Sequence, residues 1–143
     1  MLAWLSTALL VALAAVPCDG GPCRGRVVHY EPAPVVVSGT LVMEHVYGPP
    51  NYGENPHQDA QYVIPVLHLD SGLCVLRDST SELNGDTFSN VRRLQLLAGS
   101  SPLNFEAFAR HRVMVYGTLS ESVTPGIYTH VYVNVSRIEP APL

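Results

Sequence analysis

Two segments, one in each half of the chain, have almost the same sequence, and each carries a glycine at its centre. Residues 35–41 read Val-Val-Val-Ser-Gly-Thr-Leu, and residues 113–119 read Val-Met-Val-Tyr-Gly-Thr-Leu. Alternating apolar residues predict β-strands, and a glycine inside a strand is typical of a bulge or a sharp bend where a side chain would not fit. Small barrels bend their strands in this way. The pair therefore predicts an all-β fold with one short helix, a five-stranded barrel of the oligonucleotide/oligosaccharide-binding (OB) type, in which these segments belong to the first and fourth strands.

The rest of the chain supplies the other strands and one helix. We expect strands over 35–47, 60–69, 72–77, 112–121 and 128–138, a short strand or irregular segment over 90–97, and a helix over 102–111. The tight turn Asp70-Ser71-Gly72 should separate the second and third of these strands, and Val35, Val37 and Leu41 should face the core. The proline-rich segment 48–59 predicts a long loop, because its prolines interrupt both ladder and helix.

The N-terminal residues predict export. Residues 2–16 form an almost unbroken apolar run, followed by Pro17 and small residues, which is typical of a secretory signal and too short to span a bilayer comfortably. We therefore expect a signal peptide over 1–20, an N-terminal arm over 21–34 and a barrel domain over 35–139. The protein should be periplasmic or secreted, with no stable membrane insertion after signal cleavage. An uncleaved anchor is the alternative, because no Lys or Arg precedes the apolar run.

The charge of the chain argues against nucleic acid as a partner. All eight basic residues are arginine, and the formal net charge is −4 at pH 7. A binder of phosphate backbones carries a basic surface, which this chain lacks. The use of arginine without lysine, with abundant alanine and proline, is typical of bacteria with GC-rich genomes. At 143 residues the chain has room for one domain.

Three cysteines give an odd count, which matters in an exported protein. Cleavage after Gly20 would remove Cys18 and leave Cys23 and Cys74, for which we predict a disulfide. Cleavage after Ala14 would keep all three, which leaves a short Cys18–Cys23 bridge as an alternative. A lipidated Cys18 is a separate alternative, although Pro17 fits poorly where lipoprotein processing requires a small residue. A nucleophilic Cys74 activated by a histidine is a further alternative.

Several motifs resemble a family of small exported bacterial proteins catalogued as domain of unknown function 4431. The matching pieces are Tyr30-Glu31-Pro32, Ser38-Gly39-Thr40-Leu41, Gly48-Pro49-Pro50-Asn51-Tyr52, Leu67-His68-Leu69-Asp70, Cys74-Val75, Asn90-Val91, Leu94-Gln95-Leu96 and Val115-Tyr116-Gly117-Thr118-Leu119. The resemblance implies an exported OB-like domain and no particular activity. The chain departs from the family pattern where Gly53 precedes Glu54, and where a histidine-rich turn before the last strand is reduced to His130.

Exposed tyrosines predict a ligand-binding surface. Tyrosine contributes a large contact area at low entropic cost, and long loops on rigid scaffolds often carry function. The predicted surface combines the 48–59 loop with the outward faces of the last two strands, and its residues are Asn51, Tyr52, Tyr116, Tyr128, His130 and Tyr132. Two alternatives make these residues structural. The loop prolines and Tyr52 would pack over one end of the barrel as a lid, or the helix or N-terminal arm would cover the tyrosine face.

The same loop carries Glu54, His57 and Asp59, whose side chains are of types that bind divalent metals, although their spacing matches no recognised metal motif. No phosphate-binding loop, nucleophile elbow or His-Glu-x-x-His motif is present, so we expect neither an enzyme nor a bound cofactor. The sequence therefore favours a monomeric exported OB-like binding or inhibitor-like module of the bacterial cell envelope, with an envelope protein or a glycan as its ligand. A metal-handling envelope protein is the second interpretation, and a hydrolase with an unrecognised site is the third.

Overall fold

The computed structural model describes Cys23 and residues 25–142, and the regular secondary structure of this part of the chain is almost entirely β-strand. The strands are β1 (Arg26–His29), β2 (Pro34–Tyr47), β3 (Gln61–Leu76), β4 (Phe88–Ala98), β5 (Arg112–Glu121) and β6 (Val131–Pro140), with a 3₁₀ turn at Phe105–Phe108 between β4 and β5. The predicted signal peptide and Cys18 lie outside the described residues. Within the described residues, no helix has the length and apolar character needed to cross a bilayer.

Five of the strands close into a barrel. The strand order is β1-β3-β2-β5-β6-β4, and additional pairing between β3 and β4 completes the ring. The two near-identical segments lie in β2 and β5, which are antiparallel neighbours. The predicted five-stranded OB-like barrel is confirmed, with β2 and β5 as its first and fourth strands.

The glycines of the two repeated segments lie where neighbouring strands approach most closely. A Cβ atom on Gly39 would collide with the carbonyl oxygen of His68, and one on Gly117 would collide with the carbonyl oxygen of Asn134. A register shift between Tyr116 and Gly117 marks a bulge in the β5–β6 ladder. The structure agrees with the interpretation of these glycines as points where the strands bend.

The core fills the barrel with aliphatic side chains. Val35, Val37 and Leu41 are buried as predicted, and they pack with inward residues from all other barrel strands. The fully buried members are Leu41, Leu67, Leu94, Leu96, Leu119, Val66, Val75, Val113, Val115, Val131, Val133 and Val135. Alternation turns the intervening residues of β2 toward the outer surface, whereas β3 and β4 each contain a run of consecutive buried residues, at 73–75 and 94–96.

The turn predicted at Asp70-Ser71-Gly72 is wrong, because β3 runs without interruption from Gln61 to Leu76. This long strand changes partners along its length, since its first part pairs with β2 and its last part pairs with β1 and β4. The β3–β4 register shifts between His68 and Leu73. The polar residues and the glycine therefore mark an irregularity in the ladder instead of a reversal of the chain.

The predicted helix over 102–111 shortens to the 3₁₀ turn at Phe105–Phe108. Leu103, Phe105 and Phe108 are only partly buried against the core, so a single turn is enough to place them there. The strand expected at 90–97 begins at Phe88 and the strand expected at 128–138 begins at Val131, whereas β5 keeps its predicted bounds.

The N-terminal arm contains a strand that sequence analysis missed. Strand β1 pairs in parallel with the end of β3, and Arg26 donates a hydrogen bond to the carbonyl oxygen of Val36 at 2.6 Å. Cys23 lies at disulfide distance from Cys74 on β3, with their Cα atoms 5.2 Å apart, in agreement with the predicted pair. The arm is thereby held to the barrel by a ladder, with its cysteine placed beside Cys74.

Candidate functional site

A cleft opens between two loops at one end of the barrel. The β2–β3 loop and the β5–β6 loop lie on either side of the first residues of β3 and enclose a volume of about 490 Å³. We call this the tyrosine cleft, and its lining residues are Pro49, Tyr52, Tyr62, Val63, Ile64, Pro125, Gly126 and Tyr128. None of these lining side chains carries a charge.

A second, more polar cavity adjoins the tyrosine cleft. This flanking groove has a volume of about 790 Å³, lies between the start of β4 and the β5–β6 loop, and shares Tyr128 with the cleft. Its walls carry both signs of charge, from Asp86 and Glu121 and from Arg92 and Arg93. Burial raises the pKa of Glu121, and the neighbouring Asp86 carboxyl raises it further. Hydrogen bonds from the backbone N–H groups of Asp86 and Gly85 lower this pKa, but their effect is smaller. The two cavities together offer an apolar section beside a charged one.

A buried carboxylate organises the β2–β3 loop. The side-chain oxygens of Asp59 accept the backbone N–H groups of Asn51 at 2.7 Å, Gly53 at 2.8 Å and Asn55 at 3.1 Å. Burial alone would raise the pKa of Asp59, but these donors favour the ionised form and hold its pKa below the usual value. The ionised carboxylate therefore fixes the loop in the conformation that presents Tyr52.

A buried amide organises the β5–β6 loop from the neighbouring strand. Gln95 on β4 is 3% exposed, and its Oε1 accepts the N–H of Tyr128 at 2.8 Å while its Nε2 donates to the carbonyl oxygen of Gly126 at 3.2 Å. The Thr129 hydroxyl accepts the Gln95 backbone N–H at 3.0 Å and donates to the carbonyl oxygen of Val131 at 2.7 Å. These bonds hold Tyr128 against the barrel wall.

The three tyrosines of the cleft present ring surface to solvent. Tyr52 is 55% exposed and Tyr62 is 47% exposed, whereas Tyr128 is half-buried. Burial raises the pKa of Tyr128, and the nearby phenols of Tyr62 and Tyr52 raise it further, so the three rings form one cluster. Within the described residues the stacked ring pair is Phe88 with His130, which leaves the faces of the three tyrosines without a stacking partner.

The structure brings some of the predicted ligand residues together. Tyr52 and Tyr128 line the same cleft, although they lie in different loops. His130 lines the flanking groove and stacks on Phe88 with ring centroids 5.0 Å apart. Asn51 supports the loop through its N–H bond to Asp59 but does not line the cleft.

Tyr116 and Tyr132 line neither cavity. The hydroxyl of Tyr116 donates to Glu139 at 2.7 Å, and the Arg137 guanidinium lies over its ring at 3.9 Å from the centroid. Tyr132 is half-buried in β6, between Gln95 on β4 and Ser120 on β5. Neither the 3₁₀ turn nor β1 contributes a residue to the cleft lining.

The candidate metal ligands do not converge. Both carboxylate oxygens of Asp59 accept backbone N–H groups of its own loop, while Glu54 and His57 are exposed. Across Cys23 and residues 25–142, no group of three or more His, Cys, Asp or Glu side chains is placed to hold a metal ion. The loop uses Asp59 as a structural anchor.

Sequence reasoning missed Tyr62 and Gln95. Tyr62 lies in a predicted strand, and only the meeting of β3 with the two loops brings it into the cleft. The sequence position of Gln95 could have indicated a structural role, because this polar residue lies between Leu94 and Leu96 in a buried part of the strand. A buried side-chain amide in such a position needs hydrogen-bond partners. The partners of Gln95 are backbone groups of the loop that carries Tyr128.

Comparison with known proteins finds no match to the chain among protein-family models, curated proteins or solved structures.

Proposed function

We propose that the protein is an exported OB-like binding or inhibitor-like module of the bacterial cell envelope, and that the tyrosine cleft is its ligand-binding surface. The observation that carries the proposal is the convergence of Tyr52, Tyr62 and Tyr128 between two loops. In barrel order these loops join the first strand to the second and the fourth to the fifth. OB barrels bind their ligands at those loops and on the adjoining second and third strands.

The anchoring of both loops supports binding over a purely structural role. The side chains of Asp59 and Gln95 are polar and buried, and each positions one of the two loops. A surface that is already ordered loses little conformational entropy when a ligand binds. Tyr52, 55% exposed, is also more open than a side chain that plugs the end of a barrel would be.

Several features support export to the periplasm or beyond. The apolar N-terminal run and the cysteine pair at disulfide distance fit an oxidising compartment. We propose membership in the family of domain of unknown function 4431 on the motifs given above. An envelope protein or a glycan is the partner class, and the uncharged cleft lining argues against a nucleic acid. We propose that the protein binds its ligand as a monomer and catalyses no reaction.

The test is capture of a ligand from a bacterial envelope extract. Immobilised wild-type protein is compared with the double variant Tyr52→Ala/Tyr128→Ala and with Tyr116→Ala, a matched tyrosine outside the cleft. We expect the double variant to lose the captured species while its melting temperature stays close to that of the wild type, and Tyr116→Ala to retain it. Retention by the double variant would rule out the cleft as the binding surface. Loss of stability with binding intact in the folded fraction would assign the loop a structural role.

A further inference from the structure

Strand β3 has an open edge where it passes the tyrosine cleft. Residues 61–65 pair with β2 on one side, in the register that sets Gln61 opposite Tyr47 and Pro65 opposite Met43. Pairing on the other side, with β4, begins only at Val66, which lies opposite Gln95. Five consecutive strand residues therefore have a ladder partner on one side only.

The hydrogen-bonding groups on this edge can be assigned from the register. Continued by one residue, the register sets Gly48 opposite Ala60. The Ala60 carbonyl oxygen accepts the Gly48 N–H at 2.7 Å and the Ala60 N–H donates to the carbonyl oxygen of Pro49 at 3.0 Å, so both backbone groups of Ala60 face β2. Pairs in an antiparallel ladder alternate between bonded and non-bonded. Val63 and His45 consequently form a non-bonded pair, in which the N–H and C=O of Val63 point away from β2. The backbone groups of Gln61 and the carbonyl group of Pro65 also point away from β2, because each lies two residues from Val63.

The open edge coincides with the cleft. Tyr62, Val63 and Ile64 line it, and Val63 is 48% exposed. Proteins usually protect such edges with charged side chains, bulges or a covering segment. Pro65 ends this edge, but none of the other four edge residues is charged or a proline. An uncharged strand edge of this kind is suited to pairing with another chain.

We propose that the tyrosine cleft binds an extended segment of a partner polypeptide, which adds to residues 61–65 as a further β-strand. This inference rests on the proposed function and names the ligand class of the same site. Backbone groups of the segment pair with the N–H and C=O of Val63, while alternate side chains contact the rings of Tyr52, Tyr62 and Tyr128. Main-chain pairing gives affinity in this mode of recognition, and side-chain pockets give specificity.

The chemistry of the cleft restricts the segment further. Because no charged side chain lines the cleft, a charged residue of the ligand would lose hydration there without gaining a partner. The segment is therefore uncharged and apolar at the positions that face the tyrosines. A donor and an acceptor on the same residue, Val63, match the paired groups of a peptide residue, whereas a glycan offers hydroxyl groups without that repeat.

The test begins with selection of short random peptides on the immobilised protein. Peptides that are enriched are synthesised with single N-methyl groups at successive positions, and their affinities are measured. Strand addition predicts losses of about tenfold at every second position, because only alternate N–H groups face the protein strand. The variants Val63→Pro and Val63→Ala are compared in parallel. Only Val63→Pro removes the backbone N–H of residue 63. We therefore expect Val63→Pro to weaken peptide binding about tenfold more than Val63→Ala does.

The scan itself uses the wild-type protein, so it remains decisive if Val63→Pro fails to fold. Losses at every position, at none, or with the period of three of a polyproline helix would overturn strand addition, and so would a failure to enrich any peptide. Chitotetraose serves as the glycan probe. If it binds at the three tyrosines while peptides do not, the peptide inference is wrong and the cleft remains a binding site. If no peptide binds, chitotetraose does not bind, and no captured envelope species depends on Tyr52 and Tyr128, the proposed function is wrong as well.

Discussion

The side-chain amide of Gln95 bonds to both sides of the turn that precedes Tyr128, accepting the Tyr128 N–H at 2.8 Å and donating to the Gly126 carbonyl oxygen at 3.2 Å. One buried residue of a barrel strand thus sets the position of a ring in a loop distant in sequence. The loop that carries Tyr128 is thereby held in a fixed position relative to the barrel. Gln95 and Asp59 thus each hold one of the two loops that form the cleft.

Replacement of Gln95 by leucine should destabilise the protein and loosen the cleft. The change leaves the Tyr128 N–H and the Gly126 carbonyl oxygen without their partner, and we expect the free energy of unfolding to fall by about 2 kcal/mol. Denaturant unfolding measures the change, and Gln58→Leu, at an exposed position, should stay within about 0.5 kcal/mol of the wild type. Equal effects of the two substitutions would show that the amide bonds do not support the loop.

Asp59 should remain ionised to a lower pH than an ordinary aspartate. Its folded-state pKa lies below the unfolded value of about 3.9, so its stabilisation of the loop is fully present above that pH. The stabilisation is lost as the pH falls through the folded-state pKa. An NMR titration of the Asn51, Gly53 and Asn55 amide signals should show a shared midpoint below 3.9.

The matching substitution is Asp59→Asn, with Glu54→Gln as a control on the same loop. Asparagine offers one acceptor oxygen where the carboxylate has two, so amide exchange at Asn51, Gly53 or Asn55 should become faster. Glu54 is exposed, and its substitution should leave these rates unchanged. Equal exchange in wild type and Asp59→Asn would remove Asp59 as the anchor of the loop.

Substitution of Gly39 or Gly117 by alanine tests the bends of the barrel. Each new Cβ would meet the backbone carbonyl oxygen of a neighbouring strand, which cannot yield as a side chain can. We expect a loss of about 3 kcal/mol for either variant in thermal or denaturant unfolding. Gly85→Ala is the control, because its Cβ would meet only the Ser81 carbonyl oxygen at 3.9 Å. Wild-type stability of Gly39→Ala and Gly117→Ala would contradict the close strand approach.

Loss of the Cys23–Cys74 bridge should destabilise the protein strongly. The cysteines are separated by 51 residues in sequence, and closing a loop of that length stabilises by about 4 kcal/mol in the chain-entropy model. Urea unfolding of Cys23→Ser/Cys74→Ser against the wild type measures this. A free Cys74 thiol in peptide maps of the non-reduced protein would disprove the pairing.

The barrel could be predicted from the sequence because its determinants are local. Alternation in 35–41 and 113–119 defines the inward faces, and a glycine in each marks the bend. Partner exchange along β3 could not be predicted, because the residues at 70–72 suit a turn as well as a bulge. The choice between them is made by β1, β2 and β4, which are distant in sequence.

The candidate site could be predicted only in part, for the same reason. Tyr52 and Tyr128 were identifiable as tyrosines in loops or on outward faces, and the structure places them in one cleft. Tyr116 and Tyr132 have the same character in sequence, yet they line neither cavity. Their difference is set by which loops meet across the end of the barrel, and no local pattern encodes that.

The most direct measurement of the central claim uses the seven tyrosines as reporters. The protein is labelled with ¹³C in its tyrosine rings, and the fraction of the envelope extract that it retains is added while the ring signals are recorded. The account predicts shifts at Tyr52, Tyr62 and Tyr128, with Tyr116 and the buried Tyr30 unchanged. Shifts centred on Tyr116, or unchanged signals from the three cleft tyrosines while ligand is bound, would contradict it.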